Sequence, residues 1–400
     1  MQRPSQRVVL IHRFFAPDVT TYAQMLDQYA RHLSSIGHDV TVLCSPPSYN
    51  GAYKGDPVPR TETRDGVKVV RVRSPRADST LGKYAGQVIF PLLVMWHLVT
   101  RRRPYDTVSV TTVPPVLMGL VGRSARLRAR KTRIVYHCMD LYPEVAEALG
   151  VLNNRWVANA ARWLDTRTVQ NVDQVIVLSN DMANSLRERG VTRDIGVANN
   201  FILLEQNNVD RTYEFEKTDK VRFVFAGNLG RFQGIETLIE AIRVVAKTRT
   251  DFEFVFMGAG GLSTVLDEAA AAGLPIKVWS HRPIEQASAA IEDAQVAVVS
   301  LSPGVIDYAY PSKVLMYLEL GRPILAVVEE ESELAELVRS NNIGEVANPR
   351  SIDEVAGAIS SMIDHHGEYA SADISAVGRG QFSAETVLET WTDLYGLSMT

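Results

Sequence analysis

Short runs of β-branched and aliphatic residues recur along the chain, each followed by a stretch whose apolar residues fall three and four apart. Val8-Val-Leu-Ile11 leads into helical periodicity from Tyr22 to Ile36, closed by Gly37, and then into Asp39-Val-Thr-Val-Leu43. Further strand-like runs are Val67 to Val72, Thr107 to Val110, Arg133 to Tyr136 and Gln174 to Leu178, with helical stretches between them. Strands alternating with helices predict an α/β fold with a doubly wound parallel sheet. A polar, weakly periodic stretch from Leu204 to Lys220 reads as a linker, and the rhythm then restarts. Val221 to Ala226, Phe252 to Phe256, Val278, Val296 to Val299 and Pro323 to Val327 predict strands; Ile235 to Lys247, Ser263 to Ala272, Ile284 to Asp293 and Ser332 to Ser340 predict helices. The pattern implies two Rossmann-like domains facing across a cleft, residues 1–203 with 376–400 and residues 204–375. The final helix, Ala384 to Tyr395, is expected to return and brace the first domain. Ligands of such sheets bind at the carboxyl ends of the strands.

Composition narrows the class. With 46% apolar and 22% charged residues in 400, the chain is folded material too large for one core. Cys44 and Cys138 have no metal-ligand spacing, and no metal or disulfide framework is expected. The start, Met-Gln-Arg-Pro-Ser-Gln-Arg, lacks the apolar core of a signal peptide, so a cytoplasmic location is expected. The net charge of −4 conceals a polarity: residues 1–140 hold 21 Lys/Arg against 9 Asp/Glu, leaving 21 against 37. A basic half suits an anionic surface or ligand. Arg101-Arg102-Arg103 follows the apolar run Val88 to Val99, and Arg123, Arg126, Arg128, Arg130, Lys131 and Arg133 cluster further on. That run is short of the ~20 residues needed to span a bilayer. It fits either a helix lying in an anionic membrane interface, peripheral on the inner face of the plasma membrane, or a core helix with solvated arginines.

The segments that carry chemistry lie in the second half. In Asp307-Tyr-Ala-Tyr-Pro-Ser-Lys313, continuing to Gly321, Pro311 fits a first helical position, Ser312 a capping hydroxyl and Lys313 a cation in the first turn. Such a start suits a phosphate. Gly227-Asn-Leu-Gly-Arg-Phe-Gln-Gly234 lies between strand and helix; Gly227, Asn228 and Gly230 let backbone N–H groups approach an anion, and Arg231 can pair with phosphate oxygens. A second glycine turn runs from Gly258 to Gly261. Neither the dinucleotide fingerprint nor a P-loop is present, and no nucleic-acid partner is expected.

These segments together resemble the retaining glycosyltransferases of family four, with a GT-B fold, and in particular bacterial enzymes that elongate cell-surface polysaccharide on lipid carriers. The resemblance spans nearly the whole chain. It rests on Phe14-Phe-Ala-Pro-Asp18, Gly37 to Val42, Thr111-Thr-Val-Pro-Pro115, Asp140-Leu-Tyr-Pro-Glu144, Ser179 to Met182, Asn200-Phe201, Ala226 to Gly230 with Gln233-Gly234, and Pro311-Ser-Lys313. It implies a nucleotide diphosphate sugar donor, a UDP-sugar first among them, in the second domain. The acceptor is a hydroxyl on the first domain's side, favoured as a lipid-linked glycan intermediate. It implies no metal, because Lys313, Arg231 and the helix start would meet the leaving diphosphate's charge. Asp140 matches the position that orients the sugar or the attacking hydroxyl, with a helix cap as its structural alternative. Glu144, His137 and His12 are weaker candidates. The chain departs from the family at Asn228 and Gln233, where Arg and Lys are common, and in Asp18 to Tyr22, where paired glycines are common. Met316 stands where a ribose-binding glutamate is usual, with Tyr308 at its partner position. Met cannot accept a ribose hydrogen bond; Glu319 or Asp307 compensates, or nucleotide binding is weaker. Alternatives are a transferase for a soluble small molecule, a non-catalytic GT-B partner protein, and a nucleotide-sugar epimerase.

Overall fold

Val8, Val9 and Leu10 are wholly buried because their strand runs through the middle of an eight-stranded sheet with helices on both faces. A computed structural model describes residues 4–18, 20–47, 58–75, 80–114, 117–148, 150, 152, 154–203, 209–212 and 215–398. Val19, Pro115 and the start of the linker at 204–208 therefore lie outside the described residues. The chain divides into two units, Met1–Leu203 with Glu385–Thr400, and Leu204–Ala384.

The first unit contains β1 (Arg7–Ile11), α1 (Thr21–Ser35), β2 (Asp39–Cys44), β3 (Thr61–Arg64), β4 (Val67–Arg71), α2 (Thr80–Thr100), β5 (Thr107–Thr111), α3 (Met118–Ser124), β6 (Arg133–His137), α4 (Glu144–Ala148), α5 (Arg155–Val169), β7 (Gln174–Val177), α6 (Asn180–Glu188) and β8 (Ile195–Val197). Strand order is β3-β4-β2-β1-β5-β6-β7-β8, parallel except for the antiparallel β3–β4 pair. The connections β4 to β5, β5 to β6 and β6 to β7 all advance one way along the sheet. Right-handed crossovers therefore put α2, α3 and α5 on one face, and α3 touches both neighbours.

The other face carries α1 and the last helix, α14 (Ala384–Tyr395). Its Trp391 and Tyr395 rings stand edge-on to Tyr29, with centroids 5.3 and 5.1 Å away. Tyr395 Oη also lies 2.7 Å from Ser109 Oγ on β5. The α2 helix is longer than the apolar run suggested, 21 residues from Thr80 with Pro91 inside it. No helix among the described residues is long and apolar enough to cross a membrane.

The second unit contains β9 (Val221–Asn228), α7 (Ile235–Val245), β10 (Phe252–Ala259), α8 (Ser263–Ala271), β11 (Ile276–Trp279), α9 (Ile284–Asp293), β12 (Val296–Ser300), α10 (Lys313–Glu319), β13 (Ile324–Val327), α11 (Glu333–Ser340), β14 (Gly344–Ala347), α12 (Ile352–His365) and α13 (Ser371–Phe382). Its six parallel strands run β11-β10-β9-β12-β13-β14. Alternate phenylalanines of β9 and β10 fill the core, Phe223 stacking on Phe254 with centroids 4.5 Å apart. The boundary expected at 375/376 moves to 384/385 because α13 packs on α10, with Ser375 Oγ donating to Glu319 O at 3.2 Å. Gly321, with φ +62, ends α10 against Ser371, where a β-carbon would meet Oγ at 2.1 Å.

The ends of β9 and β10 are drawn together by glycine. A β-carbon on Gly258, whose φ is +157, would lie 1.8 Å from Gly227 O. Leu229 N donates to Ala259 O at 3.0 Å and Leu262 N to Leu229 O at 3.0 Å, so the two loops are knit at that approach. Gly258→Ala is expected to destabilise by more than about 2 kcal/mol, since backbone on both sides must move. A lowered urea midpoint checks this, and an unchanged midpoint would mean that the loops part easily.

Candidate donor and acceptor sites

The second sheet reverses its winding between β9 and β12, and their pairing is short: Val296 opposite Phe223 and Ala297 opposite Val224. Beyond that pair the strands diverge and leave a crevice at their carboxyl ends, the place where open α/β sheets bind ligands. Tyr317 of α10 fills its base. Its wholly buried ring brings Oη to accept from Ala226 N at 3.1 Å and to donate to Val298 O at 3.3 Å, replacing ladder bonds that the diverging strands cannot make.

Lys313 lies one turn before Tyr317 on the same side of α10. Its ammonium donates to Gln233 Oε1 at 2.7 Å and sits 3.4 Å from the centroid of the Phe225 ring. A β-carbon on Gly227 would lie 3.7 Å from Nζ, so the glycine leaves the lysine room beside the strand end. Burial pushes the Lys313 pKa well below the ordinary lysine value. Burial thus disfavours the charged form, and an arriving anion would favour it.

Gly227 and Asn228 are exposed at the end of β9, and Gly230 is half-buried behind them. Arg231 is exposed and begins a short turn, Arg231–Gln233. Its carbonyl accepts from Ser302 Oγ at 2.7 Å, which fixes the backbone while the guanidinium faces solvent. The structure thus brings Lys313, Gln233, Gly227 and Gly258 to one strand-end cluster, with Asn228, Gly230 and Arg231 continuing the same loop.

Three expectations on α10 are corrected. The helix starts at Lys313, so Pro311 precedes it rather than opening it. Ser312 already has helical angles, φ −58 and ψ −17, and makes no side-chain capping bond; a cap requires an extended backbone. Glu319 closes the helix, buried in the packing with α13, six residues along from Lys313. It does not move into the place of Met316, whose Sδ lies 3.7 Å from Ser288 Oγ of α9, a hydroxyl that donates to Ile284 O at 2.6 Å.

In the first unit Asp140 follows the carboxyl end of β6 and is half-buried. Burial pushes its carboxyl up to about 6. It is not a helix cap, since α4 begins only at Glu144. Among the described residues nothing is seen to donate to its carboxylate.

The weaker candidates are structural. Glu144 is buried and receives Arg162 Nε at 2.9 Å and Arg189 Nη1 at 3.3 Å. His12 is pushed down to about 3 by burial and lies 2.7 Å from Thr111 Oγ1 through Nδ1. His137 is likewise pushed down to about 3 by burial, packed edge-on to Trp391 at 4.7 Å. Both imidazoles are neutral packing groups, His12 between β5 and Tyr22 of α1, and His137 against Trp391 and Tyr395 of α14. Sequence reading missed Tyr317 and Phe225, although the spacing of Tyr317, four residues after Lys313, placed it on the lysine's face.

Two family models match the chain, a glycosyl transferase 4-like domain over residues 20–197 and glycosyl transferases group 1 over residues 220–365. The chain is 25% identical over 316 residues to the probable glycosyltransferase WbjE of Pseudomonas aeruginosa, covering 76% of each. It is 24% identical over 370 residues to the putative colanic acid biosynthesis glycosyl transferase WcaI of Escherichia coli K12, covering 86% of this chain and 89% of that one. Among solved structures it is similar in fold to Anabaena HepE in complex with UDP-glucose, with a TM-score of 0.67 at 13% identity, over 98% of this chain and 99% of that one.

Proposed function

Since the chain belongs to the GT-B glycosyltransferases, we propose that it moves a sugar from a UDP-sugar, bound at the strand ends of the second unit, to a hydroxyl of a lipid-linked glycan in polysaccharide synthesis. The observation that carries this reading is Lys313, half-buried at the crevice between β9 and β12 and hydrogen-bonded only to the neutral amide of Gln233 among the described residues. Support for the donor comes from HepE, whose structure holds UDP-glucose. The biosynthetic setting is taken from WcaI, named for colanic acid.

In the proposed step the bond from the anomeric carbon to the diphosphate oxygen breaks, and a bond to the acceptor oxygen forms on the same face of the ring. The acceptor proton passes to the departing phosphate oxygen, so no separate base is needed. Lys313, Arg231 and the backbone N–H groups of the Gly227 to Gly230 loop would meet the charge that develops on the diphosphate, a role in which one fixed donor contributes roughly 10²- to 10³-fold. Asp140 orients a hydroxyl as a carboxylate. With positive side chains in that role the reaction proceeds without a divalent metal.

The test is transfer from radiolabelled UDP-hexoses to lipid extract with and without EDTA, and the anomeric configuration of the product. Undiminished transfer with retention is expected. A strict metal requirement, or inversion, would overturn the proposed step; sugar conversion without any acceptor would point to an epimerase instead.

A further inference from the structure

The exposed large apolar side chains of the first unit gather on one side of it. Val88, Leu92 and Trp96 stand four residues apart along the outer side of α2, with 53%, 57% and 70% of their surfaces exposed, opposite the buried Phe90, Val94 and Leu98. Trp156 and Trp163, 85% and 65% exposed, are two turns apart on the outer side of α5, opposite the buried Ala158, Asp165 and Val169. Leu127, 79% exposed, lies in the turn after α3. Because α2, α3 and α5 cover the same face of the sheet, these six side chains project from one side of the unit. A single exposed leucine needs no explanation, but three tryptophans and three aliphatic chains sharing one face mark an interaction surface.

Charge decides what that surface meets. From Thr80 to Lys131 the sequence holds nine Lys/Arg and one acidic residue, Asp106, and that carboxylate is occupied by Arg7 N at 2.8 Å. Arg102 and Arg103 are exposed at the end of α2, Arg123, Arg128, Arg130 and Lys131 in α3 and the turn after it, and Arg155 and Arg167 on α5. Arg128 donates from Nε to Arg101 O at 3.1 Å, which anchors the basic turn to the end of α2. A second copy of the chain would set this cationic rim against itself. Tryptophan and leucine ringed by arginine match the boundary between acyl chains and anionic headgroups, where indole rings favour the interface and arginines the phosphates.

We propose that α2 and α5 form a two-helix seat on an anionic bilayer, with Trp96 as the anchor on one helix and Trp156 and Trp163 on the other. The seat deepens the reading of a lipid-linked acceptor, and rests on that reading for its purpose. It adds α5, whose tryptophans give the first unit two separated points of attachment and so a fixed tilt.

The full chain would be sedimented with phosphatidylcholine vesicles, with and without phosphatidylglycerol, at low and high salt. Binding should need the anionic lipid and weaken with salt. Trp156→Ala with Trp163→Ala, and separately Leu92→Ala with Trp96→Ala, should each lower the partition coefficient by roughly 10-fold or more, while leaving the UDP-induced thermal shift unchanged. Wild-type partitioning of the α5 variant would overturn the seat, as would a wild-type dimer that the α5 variant converts to monomer. A chain that binds vesicles but no nucleotide would support the seat and defeat the functional reading alone.

Discussion

Lys313→Ala is expected to lower kcat by roughly 10²-fold or more, the cost of removing one fixed stabiliser of charge that develops in the transition state. The effect should fall mainly on turnover, because diphosphate charge grows as the sugar leaves, and less on KM. Lys313 is packed against Phe225 and Gln233 rather than ion-paired, so its removal leaves no orphaned carboxylate and the fold should persist. A further consequence follows from burial. The lysine's pKa is held well below its usual value in the free protein, and a bound diphosphate raises it again. UDP affinity should therefore weaken as pH rises, and should lose that pH dependence in Lys313→Ala. Near-normal turnover in the alanine variant would remove Lys313 from the mechanism.

Asp140→Asn should give a comparable loss of turnover together with a gain in stability. The folded carboxyl titrates at about 6 against an ordinary 3.8. Between those values the folded state holds a proton that the unfolded state releases. Stability contributed by Asp140 is thus present at low pH and lost as pH rises through about 6, by at most roughly 3 kcal/mol at 1.36 kcal/mol per pKa unit. Asparagine removes that deficit, so at neutral pH the variant should melt a few degrees higher. Activity runs the opposite way: if the carboxylate orients the reacting hydroxyl, wild-type turnover should rise through pH 6 and level above it. An active Asp140→Asn enzyme, or one that melts lower than wild type, would assign the residue to structure.

The contrast between these two residues shows what the sequence makes visible. The central strands were legible because runs of valine and other β-branched residues mark strands buried at every position, as in Thr107–Thr111 and Val296–Ser300. The edge strands were not: Thr61-Glu-Thr-Arg64 is polar, and Gly344-Glu-Val-Ala347 is half-buried throughout most of its length, so neither carries that pattern. Lys313 stood out from its neighbours, but the cap assigned to Ser312 depended on backbone angles that a Pro-Ser pair does not fix.

Tyr317 was invisible for a deeper reason. Its function is to bridge Ala226 and Val298, and a sequence does not announce where two distant strands will part. Trp156 and Trp163 likewise fit a helical pattern, and only the packing of α5 reveals that their side of it faces solvent. The second unit extends past α13 to Ala384 because Ser375 bonds to the end of α10, a contact between segments far apart in the chain that no local pattern announces.

A nucleoside diphosphate site at the β9–β12 crevice can be read in one measurement, thermal shift of the purified chain against UDP, GDP, dTDP, ADP and CMP. A ligand at a hundred times its Kd stabilises the native state by about 2.7 kcal/mol. UDP should give the largest shift, and Lys313→Ala should reduce it. No shift from any diphosphate at millimolar concentration would contradict the donor site, whatever the fold resembles.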